Sequence, residues 1–196
     1  TSEEAMARVV RSAVLHFGRI DTWINNAGVY IQGRVQDIEL EEYRRLIDVD
    51  LVGVINGTRQ ALAVMLRQGY GVIIQVSSIV GQRGAPYTSA YSAAKAGIDG
   101  FTEALRSELW GTGIRASVFY PPSIDTPIYH NARAKLGTLP KPAPPVHDPI
   151  EAAESLAELA ESGDAAGYLG PFRHLYLNIG RVSTRLADGF LHRAAD

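Results

Sequence analysis

Cysteine is absent from this chain of 196 residues, so it can form no disulfide, supply no thiolate nucleophile and build no cysteine-based metal site. An excess of charge of one sign is also missing. Against 19 Lys and Arg stand 21 Asp and Glu, and the net charge of −2 gives no electrostatic footprint for a nucleic-acid partner. His16, His130, His147, His174 and His192 are scattered, with no paired ligand spacing, so no metal is expected. No apolar run approaches the roughly 20 residues that cross a bilayer, and the first residues do not read as a secretory signal. A cytoplasmic location is therefore expected.

What is present is ordinary for a globular chain: 46% apolar and 20% charged residues, in a length that suits a single domain over 1–196 with a proper core. The opening "TSEEAMARVVRSAVLHFG" has a cap-like Thr-Ser, then apolar residues at helical spacing, then a stopping glycine. A short apolar strand, "IDTWINNAG", follows. The alternation then repeats: a long helix over about 39–68, the strand "YGVIIQVSS", a second long helix over about 90–110, and the strand "GIRASVFYPPSIDT". Near-continuous apolar strands alternating with helices imply a parallel sheet covered on both faces. The fold class is α/β, a doubly wound parallel sheet.

Beyond the third strand the composition changes. Residues 136–149, "LGTLPKPAPPVHDP", hold five prolines, which forbid helix or central strand and predict an extended loop at the carboxyl edge of the sheet. The helix "IEAAESLAELAES" comes next, then a stretch around "GYLG" with no clear signal. The tail, 168–196, spaces Phe172, Leu175, Tyr176, Ile179, Val182, Leu186 and Phe190 by three or four, opposite Arg173, Arg181 and Arg185. Such a helix lies on a membrane surface or packs against the domain or a partner subunit.

The chemistry centres on "SSIVGQRGAPYTSAYSAAKAG", residues 77–97. Ser78 ends a buried strand, at the sheet edge where open α/β folds bind ligands. Tyr91 and Lys95 stand at i and i+4 on a helix, so they share a face. A free phenol near pKa 10 exchanges protons poorly at neutral pH. An adjacent ammonium is expected to favour the phenolate and lower that value, with the serine hydroxyl holding a carbonyl or alcohol oxygen. Either element alone has a plain structural explanation, since Tyr-x-x-x-Lys arises by chance and Ser-Ser at a strand end is common turn chemistry.

Taken with "NNAG" at 25–28, "VSS" at 76–78, "YSAAK" at 91–95 and "PPSIDT" at 121–126, these residues resemble the short-chain dehydrogenase/reductase family from the first helix to at least Thr126. The resemblance implies a Rossmann-like fold that binds NAD or NADP and interconverts an alcohol and a carbonyl. It implies that Tyr91 is the general acid/base, that Ser78 orients the substrate oxygen, and that Lys95 also holds the nicotinamide ribose. Asn26, Ala27 and Gly28 would border the adenosine side, and Pro121, Ile124 and Thr126 the nicotinamide, whose carboxamide would meet the Ile124 backbone and the Thr126 hydroxyl. It also implies a homodimer or homotetramer built on the two long helices, where Ala93, Ala96, Gly97 and Gly100 allow close approach.

Three positions depart from that family's pattern. Its glycine-rich phosphate loop and the residue that selects NAD or NADP would precede residue 1, so the N-terminal βαβ portion is expected to be missing from these residues. Asp50 stands where an asparagine is usual, which predicts an altered proton relay through Lys95. Pro122 stands where a glycine is usual and stiffens the loop. The segment 127–149 is the expected substrate-side loop, with Ile128, Tyr129 and Leu136 as an apolar lining for a medium-sized alcohol or ketone and His130 as a solvated lid residue. A non-catalytic scaffold and a related epimerase or dehydratase remain alternative readings.

Overall fold

The computed structural model describes residues 2–169. Helix α1 (Glu3–Phe17) is fixed at both ends by its sequence. The Ser2 hydroxyl accepts the Ala5 N–H at 3.4 Å, Glu3 and Glu4 face the positive end of the helix dipole, and Gly18 closes the helix at φ +75°. Strand β1 (Thr22–Asn25) follows, then a two-residue strand β2 (Ile31–Gln32).

The long helix expected over 39–68 is continuous but not uniform. It runs as α2 (Leu40–Ile47), a π-helical turn over Asp48–Val52, and α3 (Gly53–Gln68). The extra residue in that turn carries Asp50 into the interior, where it is fully buried. An 18-residue window within Leu40–Gln68, of mean hydropathy 1.2, is apolar enough by length and composition to cross a membrane, against the expectation that no apolar run approaches that length. In this fold α3 packs against β1 and against α1, as the core helix of a globular domain does.

Strand β3 (Gly71–Val76) leads through a short helix α4 (Ile79–Gln82) to α5 (Ser89–Glu108) and strand β4 (Ile114–Tyr120). A second two-residue strand, β5 (Arg133–Ala134), precedes helix α6 (Pro149–Ser162) and strand β6 (Ala166–Tyr168). The main sheet has four parallel strands in the order β1-β3-β4-β6. Alternate residues of its central strands face opposite layers. Ile73 and Ala116 pack with Val10, Met65 and Leu105 of α1, α3 and α5, while Ile74 and Phe119 pack with Ala152 and Leu159 of α6. Helices therefore cover both faces, as the apolar strands predicted.

Strand β6 falls in the stretch around Gly167 where the sequence carried no clear signal, and its three residues are too few to show a period. Beyond β1, among the described residues, the main sheet has no further strand, and Ile24 on that edge is 42% exposed. The amphipathic pattern over 172–190 lies outside the described residues. Gly97, expected to serve helix approach between subunits, is used within the chain: a Cβ there would stand 2.8 Å from Leu51 of the π-helical turn. A Cβ at Gly100 would meet nothing within 4 Å.

Candidate active site

The carboxyl ends of β3 and β4 open onto a cavity of about 320 Å³. Ser78, Tyr91 and Lys95 all line it, together with Asn26, Gly28, Pro121, Ile124 and Thr126. Ala27 and Asp50 do not. Ala27 is exposed on the turn after β1, and Asp50 lies behind Lys95.

Each catalytic candidate is placed by backbone that its own sequence explains. Ser78 caps α4, its hydroxyl accepting the Val80 N–H at 3.4 Å while also engaging the Tyr91 phenol. Its neighbour Ser77 donates to the Lys95 carbonyl at 3.2 Å and so ties the end of β3 to α5. Gly81 permits that approach, since a Cβ there would come within 2.9 Å of the Lys95 carbonyl carbon. Lys95 Nζ donates to the Val76 carbonyl at 3.0 Å and faces Asp50 Oδ2 at 3.8 Å. Asp50 Oδ1 accepts the Val29 N–H at 2.8 Å, whereas its buried Oδ2 has no hydrogen-bond partner.

Tyr91 does not behave as its spacing to Lys95 suggested. Burial pushes its phenol well above the ordinary value, the Asp50 charge and the nearby Tyr129 and Tyr30 push in the same direction, and only the Ser78 hydroxyl opposes. The Lys95 ammonium stands 5.3 Å from the Tyr91 ring centroid, occupied by Val76 and Asp50, and burial favours its own neutral form. At both groups desolvation outweighs the charge effect. Asp50 itself is pushed up to about 6 by burial, against the pull of Lys95 and the Val29 N–H.

Two tyrosines complete the walls. Tyr30 meets the Tyr91 ring edge-on at 5.0 Å and the Tyr129 ring at 6.0 Å, and burial pushes it up to about 12. Tyr129 and Ile128 line the cavity as expected, but Leu136 does not, and His130 is exposed. Sequence reasoning missed Tyr30, which follows a turn and precedes a strand of two residues, and Lys141, a charge inside the proline-rich run.

The segment after Thr126 is strapped down at two points. Its base closes where His147 N–H donates to the Ser123 carbonyl at 2.9 Å and Asp125 N–H to the His147 carbonyl at 3.0 Å. Its middle is held by the β2–β5 pairing and by Glu42, which takes Arg133 at 3.1 Å and Lys135 at 2.8 Å. Those two cations hold the Glu42 carboxyl below its ordinary value, Lys135 most strongly.

The residues fit a nicotinamide group. The bonds at the loop base use the backbone of Ser123 and Asp125, so Ile124 keeps its own N–H and C=O without a partner among the described residues, at the cavity wall. The Thr126 hydroxyl, also on that wall, is likewise unengaged. A carboxamide requires such a donor and acceptor set.

Comparison with known proteins bears on the family and the fold. The family model for short chain dehydrogenases matches residues 1–137. An uncharacterized oxidoreductase, YxnA, of Bacillus subtilis is 33% identical over 195 residues, covering 97% of this chain and 55% of that protein. A trans-4-hydroxycyclohexanecarboxylate dehydrogenase of Sinomonas cyclohexanicum is 36% identical over 140 residues, covering 71% of this chain and 54% of that protein. The chain thus spans about half the length of these curated relatives. A crystal structure of a short-chain dehydrogenase from Streptomyces avermitilis superposes with a TM-score of 0.81 at 24% identity, over 98% of this chain and 75% of that one, a likeness of fold. With the family model covering most of its length, this chain belongs to the short-chain dehydrogenase family.

Proposed function

We propose that the protein transfers hydride between NAD or NADP and a small alcohol or carbonyl substrate, with Ser78, Tyr91 and Lys95 as its catalytic set. The observation that carries this reading is the convergence of those three side chains on one cavity at the carboxyl edge of the sheet. Ile124 and Thr126 would hold the carboxamide, Lys95 the ribose, and Asn26 and Gly28 the side toward the adenosine. Bound there, the nicotinamide supplies or accepts the hydride.

The chain's own residues do the rest. Tyr91 Oη gives a proton to the carbonyl oxygen in reduction and takes it back in oxidation. Ser78 Oγ holds that oxygen in place. Lys95, sealed beneath Tyr91, offers a positive charge that stabilises phenolate as it forms. Asp50 takes part in returning the proton from Lys95, its unpartnered Oδ2 being the carboxylate oxygen that faces the ammonium at 3.8 Å. Tyr30, Tyr129 and Ile128 exclude water from the reacting carbon.

A homodimer or homotetramer and a cytoplasmic location belong to the same proposal, as does the role of 127–149 as the substrate-side loop. The test is nicotinamide absorbance followed against a panel of secondary alcohols and ketones, with wild type and Ser78→Ala compared. Turnover that falls by about 10²-fold or more in the variant is expected. Absence of nicotinamide-dependent turnover across the panel would favour a scaffold instead.

A further inference from the structure

The charge on the cavity wall is one-sided. Among the described residues, no aspartate or glutamate lines the cavity, and the cations that do are Lys95 and Lys141. Lys95 is matched by Asp50 behind the wall at 3.8 Å. Lys141 is exposed and makes no ion pair or hydrogen bond among the described residues.

Its backbone is also held. Lys141 stands between Pro140 and Pro142, and Pro140 is buried. Proline fixes the backbone on one side, and the residue before a proline is confined to extended conformations. The stretch is thus extended locally, and Ala143 beside it also lines the cavity. The same cavity is also lined by Ile79, Ile128, Tyr30 and Tyr129. A volume of about 320 Å³ suits a small molecule.

We propose that Lys141 is an anion anchor, and that the substrate carries its reactive oxygen at one end, an apolar body in the middle and a carboxylate or similar anion at the other. The proposal rests on the oxidoreductase reading for the reactive end. A charge placed to meet an anion selects against neutral analogues of the same shape.

The test is a ligand-observed NMR titration with cyclohexanecarboxylate and its neutral counterpart cyclohexanecarboxamide. Wild type should bind the carboxylate about threefold to fivefold more tightly, Lys141→Met should level the two, and Lys141→Arg should keep the preference. Equal affinities in wild type, or a preference that survives Lys141→Met, would overturn the anchor. A parallel titration with ADP-ribose separates the two sources of negative charge. Weaker ADP-ribose binding in Lys141→Met would assign the lysine to the phosphates of the cofactor and reject the substrate role.

The titration needs no hydride transfer. A carboxylate preference that depends on Lys141, in a protein without nicotinamide-dependent turnover, upholds the anchor and rejects the oxidoreductase reading. Turnover without the preference does the reverse.

Discussion

Lys95 Nζ stands 3.8 Å from Asp50 Oδ2, and both side chains are buried. Taking both charges from water is costly, and one contact at this distance does not repay it. Each group is therefore shifted toward its neutral form: Asp50 up to about 6, Lys95 downward, with the Asp50 and Asp99 charges resisting the shift in Lys95.

The Asp50 shift sets a sign for stability. Its folded value lies above the ordinary 3.8, so the folded state holds that proton more tightly, and this contribution is lost as pH rises through about 6. Asp50→Asn removes the penalty. The variant should gain on wild type by about 1 kcal/mol between pH 5 and pH 8, read from denaturant unfolding at both. A gap that stays constant with pH would remove the ionised carboxylate from the account.

Gly28 guards the same pair. A Cβ there would stand 3.1 Å from Asp50 Oδ2, so Gly28→Ala must displace the carboxylate or the turn after β1. A loss of about 1 kcal/mol is expected, and less in an Asp50→Ser background, because the two changes share one contact. Thermal melts of the four proteins decide this, and strict additivity would contradict it.

A third prediction concerns the support beneath the site. Asn25 Nδ2 donates to Thr58 Oγ1 at 3.0 Å and to Gln75 Oε1 at 2.8 Å, and Gln75 Nε2 donates to Thr58 Oγ1 at 2.8 Å. Thr58→Val strands the Gln75 donor in the core and should cost about 1–3 kcal/mol, whereas Thr58→Ser keeps the acceptor and should cost less. A Thr58→Val variant as stable as wild type, or a larger loss in Thr58→Ser, would show that the methyl group matters and the hydroxyl does not.

Much of this was legible in the chain because the features repeat or cluster locally. The apolar runs of β3 and β4 announced a covered parallel sheet, and the spacing of Tyr91 and Lys95 on α5 put both on the cavity. Other features had no local signal. A π-helical turn at Asp48–Val52 leaves no residue pattern of its own, yet it holds the buried Asp50. Tyr30 and Lys141 reach the cavity only through the folding of distant segments, Tyr30 beside α5 and Lys141 on the loop closed by His147. The expected fall in the Tyr91 pKa failed because spacing reports neighbours and says nothing of desolvation.

The most direct measurement is the rate of nicotinamide-dependent turnover in Tyr91→Phe, with circular dichroism confirming an unchanged fold. Phenylalanine keeps the ring against Tyr30 and removes only the hydroxyl. Proton transfer through Tyr91 Oη predicts a fall of about 10²-fold to 10⁴-fold in kcat. Turnover close to wild type would contradict the assignment and move the acid/base role away from Tyr91.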